Sequence, residues 1–358
     1  MKLTEEIGLK GEKTKGIRNI NIELLRIISM LMIIIMHLLG HGGILDNVKL
    51  YTTNYILVWT INALAFVSVN CYVLISGYFL VDSKFSVKKV LIIWGQIIFY
   101  SISIYVIALS SGLISINIKA AIVAFLPVLG KQYWFATTYV ALYFLFPFIN
   151  IMIKAMTKKQ MQRLLITIIF MFSVWPNLIP FSKTLQSGGG YGIVWFVCLY
   201  FISAYIKLHY VSTHKPVIYL LVYLLFSILL VISKLSLEYV GTYILGGSIW
   251  LGSFYTYNSI LVLISSVALF LFFIHTKKTS NKIASKIIVS LSGLTFGVYL
   301  IHDNGIVRNI LWDRLGTENL ANSSNLIPTM IVYILAIYLS CSMIEFIRQI
   351  IFKKIIKI

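Results

Sequence analysis

The sequence predicts an all-α, polytopic integral membrane protein: a helical bundle of about ten transmembrane helices with both termini cytoplasmic. Three observations carry this. Of 358 residues, 59% are hydrophobic and 11% are charged, against about 25% charged in a soluble domain. Apolar runs of about twenty residues recur from residue 20 onward, each long enough for a hydrocarbon core of about 30 Å. The Lys residues fall in the short gaps between those runs, as they do in cytoplasmic loops.

Spans are expected near 20–40, 55–80, 87–110, 131–151, 162–180, 190–208, 216–233, 256–274, 286–303 and 326–351. The first follows a basic segment, 1–19, that reads as cytoplasmic. It is no signal peptide, because its apolar run holds Arg26 and lacks a small-residue cleavage site. The start of the fourth is open as far back as 118, and Pro176 and Pro180 interrupt the fifth. Gly188-Gly189-Gly190-Tyr191-Gly192 precedes the sixth without the Lys-Ser/Thr of a phosphate loop, so it reads as a turn. The segments around 234–255 and 304–325 are long enough for short lids or caps. Residues 20–358 thus form one membrane-embedded domain.

Orientation follows from charge. With the N-terminus inside, 22 of the 30 Lys and Arg fall in inside segments and seven outside, with Arg26 within a span. The split supports both termini inside. It also removes the reading that a net charge of +19 would carry in a soluble chain, so no nucleic acid is expected. Cys71, Cys198 and Cys341 lie far apart in apolar runs and read as buried, inert thiols.

Ionisable groups within spans cost about 2.5–3.5 kcal/mol each and tend to be functional. Here they are Glu23, Arg26, His37 and His41 on the first span, His302 and Asp303 on the ninth, and Glu345 on the last. Arg26 and His37 are eleven residues apart, which is 20° past three helical turns, so they share one face. The rise between them is about 16 Å, half the hydrocarbon thickness. His41 lies one turn further on, and Glu23 is spaced to pair with Arg26. The ninth span runs outward, so Tyr299, His302 and Asp303 reach the depth of His37. Three histidines and an acid are therefore expected around one cavity. Plainer readings are an Arg26 that snorkels to the interface, solvated His209, His214 and His275, and a structural Glu345–Arg348 pair.

Asn21-Ile22-Glu23-Leu24-Leu25-Arg26, ten residues and His37 resemble the opening of membrane acyltransferase family 3, of the bacterial polysaccharide or glycan O-acetyltransferase type. Four further stretches are similar to the family in order. They are Phe66 to Leu80 with its Ser76-Gly77-Tyr78 ending, Tyr133-Trp134-Phe135 with Tyr143 and Pro147, Trp195-Phe196 with Tyr200, and Phe296-Gly297-Val298-Tyr299-Leu300-Ile301-His302. Where many members carry arginines entering the third span, this chain has Lys88-Lys89 and then Trp94-Gly95-Gln96. A fused esterase-like domain, present in some members, is not expected.

The resemblance implies acetyl-CoA as donor and a hydroxyl of a cell-surface polysaccharide or glycolipid as acceptor, in the cytoplasmic membrane, beside polysaccharide synthesis or export proteins. His37 is then the candidate general base or transient acyl carrier, with His302 or Asp303 orienting it or relaying a proton. Ser76, Tyr78, Trp134 and Tyr299 are oxyanion or substrate candidates. Arg26 suits a CoA phosphate, with Lys88 and Lys89 at the rim. No metal is expected. The competing readings are a transporter or flippase and a non-catalytic component of polysaccharide export.

Overall fold

A computed structural model describes residues 19–356 apart from 129, 131, 180–184, 186–187, 247–253, 278 and 280. The basic segment expected at 1–19 lies outside the described residues but for Asn19, as do Lys131, Lys183, Lys278 and Lys357 of the charge count.

The first helix, α1 (Ile20–Gly40), is started by Asn19, whose side chain accepts a hydrogen bond from the Asn21 N–H. A short α2 (Ile44–Asn47) follows. Helices α3 (Thr53–Ala65) and α4 (Ser68–Leu80) are separated by a kink at Phe66 and Val67, and together make one apolar segment, Thr53–Leu80. Next come α5 (Val87–Ser110), α6 (Ile118–Phe125) and α7 (Trp134–Ala155). The apolar stretch before residue 131 is thus a separate short helix.

Helix α8 (Lys158–Ile169) opens with a Thr157–Gln160 capping box. It passes through a π turn, Phe170–Val174, into α9 (Trp175–Leu178). The π turn sits where Pro176 would collide with the carbonyl four residues back. That carbonyl, of Phe172, instead accepts a hydrogen bond from the Asn258 side chain at 2.8 Å. The remaining helices are α10 (Ile193–His209), α11 (Pro216–Tyr239), α12 (Ile260–His275), α13 (Lys282–Ser292), α14 (Thr295–His302), α15 (Gly305–Leu315) and α16 (Leu326–Ile356).

Eight helical segments among the described residues are long and apolar enough to cross a membrane, and α10 and α12 are shorter apolar helices. All eight overlap spans expected from the sequence. The α3–α4 segment is 72% buried against 11% for α8–α9, which separates an inner layer from a lipid-facing shell. Ile107, Phe148, Ile166 and Met343 stand exposed on α5, α7, α8 and α16. In water such a surface would aggregate; in a bilayer it is solvated by acyl chains.

Helix α1 is the hub. It packs against α3, α4, α12, α13, α14 and α16, so its polar residues face protein. Inner helices are tied by polar groups, as expected where lipid offers no hydrophobic drive for helix association. Asn70 on α4 donates to the Tyr257 carbonyl at 2.8 Å and accepts from the Trp195 indole of α10 at 3.1 Å. Helices α4 and α10 touch closely at Gly77, where a Cβ would lie 3.2 Å from the Tyr200 Cα and against the Ser203 hydroxyl. Glu345 is fully buried and takes hydrogen bonds from Arg348, Tyr100 and Gln349. Every oxygen of that acid is therefore satisfied within the bundle. Cys71, Cys198 and Cys341 are free and buried.

Candidate active site

A cavity of about 290 Å³ runs beside α1. Both Arg26 and His37 line it, with Met30, Ile33 and Met36 between them, as the shared helical face requires. Helix α4 contributes Tyr72 and Ser76, the start of α7 gives Trp134, Phe135 and Tyr139, and the α13–α14 segment gives Gly293, Thr295, Phe296 and Tyr299. Tyr257, just before α12, closes it. Its volume is near the lower end of the roughly 300–1,000 Å³ of ligand sites.

At the His37 end, α14 brings in its C-terminal residues. His37 Nδ1 lies 3.0 Å from His302 Nε2, and His302 Nδ1 lies 2.6 Å from the Val298 carbonyl oxygen. A carbonyl can only accept, so His302 Nδ1 carries a proton. In the neutral ring its Nε2 is then a lone pair, and His37 Nδ1 must donate to it. This assigns the free lone pair of neutral His37 to Nε2, which has no hydrogen-bond partner among the described residues. Asp303 Oδ1 lies 3.6 Å from His37 Nδ1 and 3.9 Å from His41 Nε2. A charge so placed stabilises an imidazolium as it forms.

Arg308 on α15 completes the cluster, with NH1 at 3.4 Å from both Asp303 Oδ1 and His41 Nε2. His41 is past the end of α1, where burial and the Arg308 guanidinium hold it below the ordinary imidazole value against the pull of Asp303. The ligand atoms of His37, His41 and Asp303 lie within 4.8 Å of one another. The guanidinium already brings positive charge to them, and His37 Nδ1 is hydrogen-bonded, so the set fits an ion-paired relay better than a cation site.

Tyr299 and Phe135 also line the cavity. Tyr299 is 4% exposed and its hydroxyl makes no hydrogen bond of good geometry, although the backbone of Phe135 and Ala136 lies beside it. Those two residues are in the first turn of α7, whose N–H groups lack helical partners. The α7 start is held there by Tyr133, which donates to the Leu300 carbonyl at 2.9 Å and accepts from Asn304 at 2.8 Å. Trp134 stacks on Tyr257 at 5.8 Å. Tyr257 is in turn fixed by its N–H to the Gly189 carbonyl at 2.9 Å. Gly190, with φ +88, leaves no room for a Cβ against Tyr257 and Asn258, so the glycine-rich turn serves to place a cavity wall.

At the other end, Arg26 lies 3.3 Å from Glu23, an ion pair too poorly aligned for a hydrogen bond to that buried oxygen. The guanidinium thus keeps most of its donors available to the cavity. Ser76 spends its proton on the Tyr72 carbonyl at 2.8 Å. Tyr78 is elsewhere, under Lys207 Nζ at 4.3 Å and against Phe270. Lys88 and Lys89 are exposed in the first turn of α5, away from the cavity lining. Sequence reasoning missed Tyr72, Tyr139, Tyr257 and Arg308. Buried tyrosines are common in apolar spans, and Arg308 reads as a loop charge until α15 folds back over His41.

Compared with known protein families, the chain matches the family 3 acyltransferase domain over residues 19–345. The chain belongs to this acyltransferase family. Comparisons with curated proteins and with solved structures return no match. As a multi-pass membrane acyltransferase, it carries Arg26 and His37 on the two ends of one cavity wall, with Tyr299 also in the lining.

Proposed function

We propose that this membrane acyltransferase moves an acetyl group from acetyl-CoA to a hydroxyl of a cell-surface polysaccharide or glycolipid, with His37 Nε2 as general base. The hydrogen-bond chain Val298–His302–His37 carries the proposal, because it leaves one lone pair of His37 unpartnered on a residue of the cavity wall.

Acetyl-CoA supplies the acyl group as a thioester. Arg26, with donors to spare, suits an anionic group of the donor, and Lys88 and Lys89 add positive potential on the same side. The cavity admits the acyl end beside His37. His37 Nε2 takes the acceptor's hydroxyl proton as the new C–O bond forms. It returns that proton to the departing thiolate as the C–S bond breaks, so charge and atoms balance. Tyr299 and the first-turn N–H groups of α7 suit the carbonyl oxygen as it becomes negative. His302 holds the His37 tautomer, and Asp303 offsets the transient positive charge.

Reading the eight long helices and the two shorter ones as spans leaves both termini on one side, and the lysine-rich gaps support that side as the cytoplasm, with the protein in the cytoplasmic membrane. The donor then comes in from the Arg26 side. The test is acetyl transfer from labelled acetyl-CoA by purified, detergent-solubilised protein with a mixture of cell-surface glycans, wild type beside His37→Ala. Transfer lost in the variant supports the reading. Transfer retained by the variant overturns His37 as the base, and a wild type that neither turns over nor binds acetyl-CoA overturns the donor.

A further inference from the structure

A second pocket, of about 420 Å³, lies beyond the histidine cluster from the first. The turn after α1 gives it His41, Gly42 and Gly43, and α15 with the turn after it gives Arg308, Trp312, Asp313 and Glu318. The two sides are clamped together, since the Thr317 hydroxyl donates to the Gly42 carbonyl at 2.7 Å. Gly43 holds φ +72, which a side chain would strain, and packs close to Glu318, a Cβ there lying 3.4 Å from the Glu318 Cβ. The pocket is thus preformed, and His41 joins it to the reaction site: its ring centroid is 5.0 Å from that of His37.

The chemistry of the lining is specific. Trp312 is 4% exposed, and its indole N–H is buried without an acceptor. Leaving such a donor unmatched is costly, and Trp312 lines the pocket, where a ligand oxygen could supply the acceptor. Asp313 and Glu318 are exposed, with no ion-pair partner among the described residues. Arg308 is engaged by Asp303. Free acceptors, a buried donor and an engaged cation suit sugar hydroxyls, each of which both donates and accepts. Two uncompensated carboxylates repel an anion, which disfavours CoA phosphates and uronic acids alike.

We infer that this pocket is the acceptor subsite, holding a neutral sugar unit beside the one whose hydroxyl reaches His37. The inference rests on the acyl-transfer reading and divides the two substrates. The anionic donor uses the Arg26 end of the first cavity, and the neutral glycan uses the carboxylate-lined pocket beyond His41.

Two measurements test it on the full-length protein. The first is binding of neutral oligosaccharides of two to four units, and of uronic-acid counterparts, by thermophoresis, which needs no turnover. Wild type is expected to bind the neutral set. Trp312→Phe and the pair Asp313→Asn with Glu318→Gln are expected to weaken binding by about tenfold or more. The second is steady-state acetyl transfer, where the same variants raise the acceptor KM by that factor and leave the KM for acetyl-CoA unchanged. No binding of any neutral oligosaccharide, binding that the variants do not change, or preference for uronic acids overturns the subsite. Sugar binding without acetyl-CoA turnover upholds the pocket and counts against the acyl-transfer reading instead.

Discussion

His37 Nδ1 and His302 Nε2 lie 3.0 Å apart, on the first helix and on the last residue of α14. Their spacing in sequence is 265 residues, yet this contact, with the His302–Val298 bond behind it, decides which nitrogen of His37 keeps its lone pair unpartnered. A base whose second nitrogen is anchored keeps both its tautomer and its ring plane.

Replacing His302 therefore separates anchoring from packing. His302→Leu is expected to lower kcat by about 10²-fold with little change in either KM, the effect of a misoriented base. His302→Gln, which can still accept from His37 and donate to Val298, is expected to recover part of that loss. Equal activity in the two variants would count against the anchoring role.

His37→Ala is expected to cost about 10²–10⁴-fold in transfer rate, the range for a positioned general base. Size-exclusion elution in detergent should match wild type, because His37 borders a cavity and its removal leaves no packed core empty. Aggregation of the variant would show that the residue holds the bundle together.

Arg26 tests the donor end. Arg26→Lys keeps the charge and loses the planar fork, so the KM for acetyl-CoA is expected to rise by about tenfold while the acceptor KM holds. A rise confined to the acceptor would place the glycan, not the donor, at this end. Helix α1 itself should survive, since Glu23 can pair with either cation.

Gly77 tests the packing that holds the site. Gly77→Val forces atoms into the α4–α10 contact, where a Cβ already meets the Tyr200 Cα at 3.2 Å. Overpacking of this kind costs about 1–3 kcal/mol. The melting temperature in detergent is expected to fall by several degrees. Adding Ser203→Gly should restore only part of it, because the Tyr200 backbone stays in place. An unchanged melting temperature would show that the two helices can separate.

Much of this was legible because a bilayer is a simple solvent. Few ionisable groups are tolerated in it, so Arg26, His37, His302 and Asp303 stood out from their surroundings, and the 3.6-residue period put the first two on one face. Tyr78, Lys88 and Lys89 show the limit. Each lies on a helix with residues of the right chemistry nearby in sequence, yet rotation and exposure set them apart from the cavity.

The sequence by itself determined the apolar helices, the basic gaps and the polar stripe of α1, because those follow from local composition and helical periodicity. The tertiary structure alone decided that α1 is the hub, that α14 delivers His302 to His37, and that α15 folds Arg308 over His41 and brings Trp312 into the same pocket. Those choices depend on which helices are neighbours. Lipid-facing and protein-facing apolar surfaces read alike in sequence, and only the packing of small residues and paired polar groups between helices separates them.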